Sequence, residues 1–296
     1  FSTIHNYMKV LAFYSFFELM DPLAVESKIK NFISNISIKG TILLSSEGIN
    51  GTIAIPKESE TLMKDFLIEL GVNEKYIKVS NFDGKKIFNS FAIKVKKEIV
   101  TSDFNLTIDE INNGQFIEPE KWDEFIKQED VCIIDTRNDY EYRLGHFQNA
   151  LDPNIATFRD FKKYIEDNKE SLKNKKVAIY CTGGIRCEKA GPLMQKNGID
   201  TYQLKGGILK YLEVSSAKNW NGECFVFDYR VALNKNLQPG SSILCHGCNM
   251  PLNSDDTKSP YYKEGFSCHR CYDKLNAKKI RSLTDKREHW KRLLDQ

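Results

Sequence analysis

Cys181 opens the run Cys181-Thr182-Gly183-Gly184-Ile185-Arg186, in which a thiol and a guanidinium enclose four residues, two of them glycine. An apolar strand-like stretch, Lys176–Tyr180, leads into it, and a helix-like stretch, Cys187-Glu188-Lys189-Ala190, leads away. A thiol at a strand-to-helix junction meets loop amides, the positive end of the helix dipole and here the charge of Arg186. All three stabilise negative sulfur and lower the thiol pKa from its free value of about 8.5. The run therefore predicts a nucleophilic or redox-active thiolate, with Cys181 as the reacting group and Arg186 as the residue that holds the loop. Cys187 is either a resolving thiol for an oxidised Cys181 or an inward-packed helix residue. A second charged segment comes earlier: Cys132-Ile133-Ile134-Asp135-Thr136-Arg137 reads as a buried strand ending in charge, followed by Glu141 and Gly145-His146-Phe147. Asp135, Arg137 and Glu141 are expected to form a partly buried ion-pair network that braces the loop, and His146 to fix a turn.

A different thiol chemistry is written near the end. Cys245-His246-Gly247-Cys248 and Cys268-His269-Arg270-Cys271 are two Cys-x-x-Cys knuckles. Each supplies two sulfurs, and the loop between them lets the pairs converge on one tetrahedral ion at about 2.3 Å. Structural zinc is the expected occupant, with no metal, or a rubredoxin-like iron held by the same ligands, as the alternatives. The surrounding segment is too polar for a core of its own, so a metal would supply its folding free energy. Beyond it, Lys274, Lys278, Lys279, Arg281, Lys286, Arg287, Lys291 and Arg292 make a basic amphipathic helix. That helix reads either as a solvated face or as a surface for a phosphate backbone, with Lys278, Lys279, Arg281, Lys286 and Arg287 as candidate RNA contacts.

Three kinds of element have to position these groups. Up to about residue 100 the pattern is strand (10–17), helix (22–33), two strands around Glu47–Thr52, helix (58–70) and closing strand (Phe91–Val95), the β-α-β-β-α-β order of a ferredoxin-like sandwich. Asn50-Gly51 predicts the hairpin turn between the central strands. The polar stretch 101–114 is the expected linker. From residue 115 to 230 short apolar strands (131–134, Lys176–Tyr180, 201–204) alternate with helices (158–168, 188–197), which predicts a parallel sheet covered on both faces. Ligands of such sheets bind at the carboxyl ends of the strands, where Cys181 falls. Gly206-Gly207 is expected to let backbone pass close to that site. Residues 231–296 form the cysteine-rich element and basic tail.

The four-residue loop resembles a rhodanese, and Asp135, Arg137, Glu141 and Gly145-His146 resemble the rhodanese pattern that accompanies it. Longer blocks carry a closer resemblance: Cys181 through Ala190, Leu204-Lys205-Gly206-Gly207-Ile208-Leu209-Lys210-Tyr211-Leu212-Glu213, Gly222 through Val231, and Glu47-Gly48-Ile49-Asn50-Gly51-Thr52 are similar to the rhodanese-domain tRNA uridine hydroxylases. The resemblance spans nearly the whole chain, including the terminal cysteine pairs. It implies 5-hydroxylation of the wobble uridine in the tRNA anticodon stem-loop, with molecular oxygen as co-substrate; the first domain, which holds no nucleophile or metal constellation, is expected to position the RNA. Phe158-Arg159 and Tyr211 are candidates for stacking on a flipped base, with core packing as the other role of Phe158. Rhodanese-type sulfur transfer through a persulfide on Cys181 is the competing enzyme class. A non-catalytic RNA-binding or signalling module is the third reading, disfavoured because both Cys181 and Arg186 are present.

Composition bounds these readings. A chain of 296 residues with 41% hydrophobic residues can bury two or three cores, and a net charge of +3 does not by itself demand nucleic acid. No apolar run is long enough to span a bilayer, and the first residues lack the pattern of a signal peptide. Four of the eight cysteines sit in knuckles and one in a reactive loop, which predicts a reducing, cytoplasmic setting. No nucleotide-cofactor motif is present.

Overall fold

Alternation of apolar and small or polar residues in Met8–Phe16 (β1) sends Leu11 and Phe13 to one face and Ala12 and Tyr14 to the other. This computed structural model describes residues 8–82 and 87–294, the side chains of Lys286, Arg287 and residues 289–294 excepted. The next helix, Pro22–Phe32 (α1), starts where Asp21 accepts the N–H groups of Leu23 and Ala24, with proline in the first turn. Lys39–Ser45 (β2), Gly48–Pro56 (β3), Glu60–Glu69 (α2), Ile77–Phe82 (β4) and Phe91–Val95 (β5) follow. The sheet order is β4-β1-β3-β2-β5. Both helices cover one face, where Leu11, Phe13, Ile42, Leu44 and Ile53 meet Ile29, Met63 and Phe66.

Two expectations are corrected here. The strand that closes the ferredoxin-like unit is β4, paired antiparallel to β1, and Phe91–Val95 is an added edge strand parallel to β2. Strand β4 is half-exposed and lacks the apolar run of a central strand, which hid it. The hairpin between β2 and β3 turns at Ser46-Glu47, since Ser45 pairs with Gly48. Asn50-Gly51 lies inside β3, with Gly51 beneath the Phe13 ring, where an added Cβ would approach the ring to 2.5 Å. Gly51 thus serves close packing, and the turn preference of Asn-Gly is overridden by pairing on both sides.

The stretch 101–114 is packed against both of its neighbours. It contains the helix Ile108–Asn112 (α3), closed by a Thr107/Glu110 capping box, and it buries Phe104 and Ile111.

Phe116–Ile117 (β6), Pro119–Phe125 (α4), Val131–Asp135 (β7), Asp139–Leu144 (α5), Gly145–Phe147 (β8), Phe161–Leu172 (α6), Lys176–Tyr180 (β9), Ile185–Lys196 (α7), Asp200–Leu204 (β10) and Gly207–Val214 (α8) build the second unit. Its parallel sheet runs β6-β10-β9-β7. Alternate residues of β9 face opposite cores: Val177 and Ile179 meet Phe161, Ile165 and Met194, while Ala178 and Tyr180 meet Trp122, Ile208 and Tyr211. The sheet is therefore covered on both faces, as its apolar strands require.

Short ladders continue the chain: Trp220–Gly222 (β11) pairs with β8, Cys224–Phe225 (β12) with Ala232–Leu233 (β13), and Ile243–Leu244 (β14) with Pro251–Leu252 (β15). The four knuckle cysteines, Leu252, Tyr262 and Leu275 form the small core of the last element. Helix Ala277–Leu294 (α9) is the last element of the described residues. Among the described residues no helix is long and apolar enough to cross a membrane.

Candidate active site

Strand β9 ends at Tyr180 and delivers Cys181 to the mouth of α7. Gly184 takes φ +107°, a conformation that L side chains rarely adopt, and turns its N–H onto Cys181 Sγ at 3.1 Å. The glycine pair after β10 completes the cradle. Ile208 and Leu209 N–H donate to the carbonyls of Cys181 and Thr182 at 3.0 and 3.1 Å, and a Cβ on Gly207 would lie 2.6 Å from the Cys181 carbonyl oxygen. Thr182 ties the loop to the Phe225 carbonyl. Gly183 and Ile185 line the approach to it.

Burial alone disfavours a charged sulfur at Cys181. A hydrogen bond from the Cys187 thiol, the charge of Arg186 and the amides of Cys187 and Arg186 outweigh it, and the thiol is brought down to about 5. Cys187 moves the opposite way: burial and the neighbouring Cys181 push its thiol well up. Cys187 packs inward from α7 and touches the Cys181 sulfur, with Thr136 Oγ1 at 3.5 Å.

The expected charge network is two discrete pairs. Arg186 gives both terminal nitrogens to Glu141, at 2.6 and 2.8 Å, inside the protein. Burial pushes the Glu141 carboxyl up, but Arg186 more than reverses this and holds it below its ordinary value. Arg137 grips Asp135 through Nε and Nη2 and donates Nη2 to the Gly145 carbonyl at 2.6 Å. His146 stacks on Tyr142 and bonds its carbonyl, anchoring the β8 turn.

Several groups at the site come from the first domain, and sequence reasoning missed them. The face of its sheet opposite α1 and α2 presents Ala12, Tyr14, Leu43, Asn50 and Thr52 to the loop. Together they enclose a cavity of about 580 Å³ that reaches Cys181 and Arg186. Tyr14 donates to Glu188 Oε1 at 2.7 Å across the domain boundary. Burial raises the Glu188 carboxyl to about 7, despite hydrogen bonds from Tyr14 and Tyr76. Lys78 donates to the Gly206 carbonyl, and burial lowers its amine to about 8. Lys189 reaches back to Glu47 at 2.8 Å and to the Val100 carbonyl at 3.1 Å, while Asn50 donates to the Ile99 carbonyl. Part of this was signalled by the Glu47–Thr52 block. Tyr14 had no signal beyond its place in a strand.

Tyr211 does not reach the site: it is buried under α4 and bonds Asp123 at 2.6 Å. Phe158 packs into the core beneath the cavity and lines part of it, and Arg159 pairs with Asp103. Cys181 itself exposes no surface, so chemistry at its sulfur requires a shift of the residues above it.

At the far end Cys245, Cys248, Cys268 and Cys271 converge, with all four sulfurs within 4.8 Å of one another. The contacts Cys245–Cys271, Cys248–Cys268 and Cys268–Cys271 measure 3.7 to 3.8 Å. Four thiolates at about 2.3 Å around a tetrahedral ion would be about 3.8 Å apart, so the donor set fits such a metal. His269 turns to Asp256 and lies outside the sulfur cluster. Lys278, Lys279 and Arg281 lie on α9, Lys278 and Arg281 exposed and Lys279 half-buried; the side chains of Lys286 and Arg287 fall outside the described residues.

Residues 8–99 match the UPF0176 acylphosphatase like domain, and residues 118–213 the rhodanese-like domain. A tRNA uridine(34) hydroxylase of Acinetobacter baumannii (strain AYE) is 42% identical over 272 residues, spanning 91% of this chain and 86% of that one. The enzyme of the same name from Acinetobacter baylyi is 40% identical over the same spans. A rhodanese-like domain protein of Staphylococcus aureus, known by crystal structure, is 30% identical over 33% of this chain and 90% of its own, with a TM-score of 0.28. At that identity and coverage by full-length relatives, the chain belongs to the tRNA uridine(34) hydroxylase family.

Proposed function

We propose that this protein hydroxylates the wobble uridine of tRNA at C5, with molecular oxygen as oxidant and Cys181 as nucleophile. The observation that carries the reading is the Cys181 thiol, held as thiolate by amides and Arg186, at the base of a cavity that two domains enclose. Uracil is electrophilic at C6. Addition of the thiolate forms an S–C6 bond and moves the C5=C6 electron pair toward C5 and the C4 carbonyl. The electron-rich C5 then adds to dioxygen; one oxygen stays as hydroxyl, and the other leaves as water with two protons and two electrons from an external donor. Breaking S–C6 with loss of the C5 proton restores the ring and the thiolate. Arg186 fixes the loop through Glu141 while its charge favours the thiolate. Tyr14 and Glu188 form a buried proton-holding pair beside the reacting sulfur.

The substrate of this reading is the anticodon stem-loop, whose unstacked bases a recessed nucleophile can reach at low cost. Lys278, Lys279 and Arg281 supply phosphate contacts. A tRNA substrate implies the cytoplasm. Cys245, Cys248, Cys268 and Cys271 hold a structural zinc, which supplies folding free energy to the last element and takes no part in oxygen chemistry.

The four-residue loop also supports a second reading, sulfur transfer through a Cys181 persulfide. Incubation of pure protein with unmodified tRNA and a two-electron donor separates the two. Hydroxylation yields a uridine heavier by one oxygen in air and none under argon. Sulfur transfer leaves Cys181 persulfidated after thiosulfate, with turnover indifferent to oxygen, and that result would overturn the proposal.

A further inference from the structure

One aromatic side chain that lines the Cys181 cavity is largely open to solvent. Phe227 is the most exposed aromatic among the described residues, at 64%, ahead of Tyr261 at 49%. It lines the same cavity as Cys181. Its position is fixed by a tight turn: Val226 and Val231 N–H donate to the carbonyls of Val231 and Asp228 at 2.9 Å. The Asp228 carboxylate takes the N–H, Nε and Nη2 of Arg230 at 3.0, 2.9 and 2.6 Å. The Phe225 ring meets Phe227 edge-on at 5.0 Å, and the Arg186 guanidinium lies 6.0 Å from the ring centroid. A hydrogen-bonded turn thus holds an open aromatic surface beside the Cys181 loop.

We infer that Phe227 is a stacking platform for the target uracil as it enters the Cys181 cavity. The inference rests on the tRNA reading of the site and adds a residue that positions the base. Aromatic faces take unpaired bases in this way throughout single-stranded RNA recognition, because every base offers a flat π surface. The contact is one of orientation: a base seated on Phe227 lies in the space shared by Arg186 and Cys181.

Binding of a fluorescent anticodon stem-loop by the full chain tests it, with uridine or an abasic site at the wobble position. Wild-type protein should prefer the uridine RNA. Phe227→Ala should weaken uridine-RNA binding by about tenfold or more, leave abasic-RNA binding unchanged and raise KM far more than it lowers kcat, while Phe227→Trp retains binding within about threefold. The melting temperature of both variants should match the wild type, since the ring is mostly exposed. If wild-type protein prefers the uridine RNA and Phe227→Ala prefers it equally, or weakens both RNAs alike, the stacking role is wrong. Wild-type protein that binds both RNAs equally also overturns the stacking role, whereas wild-type protein that binds neither contradicts the functional reading beneath it.

Discussion

The two cysteine centres use the same side chain for opposite ends. At Cys181 a single sulfur is favoured as thiolate by its surroundings, through amides, a neighbouring thiol and Arg186, and it is in no disulfide. At the other end four sulfurs stand at tetrahedral separations, so that a metal would satisfy them all. The first arrangement needs a rigid parallel sheet, a glycine turn and a second domain to roof it. The second needs only two knuckles and the small core they share. The setting that lowers the Cys181 thiol therefore depends on long-range architecture, whereas the clustering of four sulfurs depends on local sequence.

The comparison breaks most clearly if the two centres are not separable. Cys181→Ser should reduce tRNA hydroxylation by about a thousandfold or more while leaving metal content and melting temperature unchanged. Nucleoside mass spectrometry and metal analysis read both. Replacing Cys245 or Cys268 by Ser should do the reverse: metal content falls from about one zinc per chain, the last element becomes protease-sensitive, and the alkylation rate of Cys181 stays at its wild-type value. Loss of Cys181 reactivity in these variants would mean that the centres are coupled.

Glu141→Gln sharpens the account of the loop. It leaves Arg186 buried without its carboxylate, at a cost of about 3 kcal/mol or more. The Glu141 carboxyl is held below its unfolded value, so its contribution is present above the unfolded pKa and lost as pH falls through the folded one. Acid melting of the wild type should accordingly show a loss below about pH 4 that the variant lacks. Cys181 itself should be alkylated at a rate that rises with a midpoint near 5 and stays level through neutral pH.

Glu188→Gln is read in the pH dependence of stability rather than in its value in acid. The carboxyl is raised to about 7, so its neutral form is favoured in the fold, and its contribution is full below the unfolded pKa and lost as pH rises through 7. Stability of the wild type should therefore drift down between roughly pH 4.5 and 7, and the variant should be flat over that window. A variant with the same drift would place the titration elsewhere.

What the sequence made legible follows the same division. Cys181, Gly184 and Arg186 were readable because a strand, a turn and a helix start lie within one short run. The knuckles were readable because metal spacing is local. Tyr14, Lys78 and Glu188 were not, since their meeting depends on one sheet packing over another domain, which no short-range pattern records. Asn50-Gly51 misled because a turn-forming pair was placed instead under Phe13 between two partner strands. Tyr211 misled because nearness in sequence to the Gly206-Gly207 turn is not nearness to Cys181: the helix points it at Asp123.

The central claim is that a Cys181 thiolate directs dioxygen to C5 of a tRNA uridine. Its most direct test is a reaction of pure protein, unmodified tRNA and a two-electron donor under isotopically heavy dioxygen in ordinary water, followed by nucleoside mass spectrometry. The account predicts one heavy oxygen in 5-hydroxyuridine from the wild type and no product from Cys181→Ser. A hydroxyl whose oxygen comes from water, or a heavy product that survives loss of the Cys181 thiol, would contradict it.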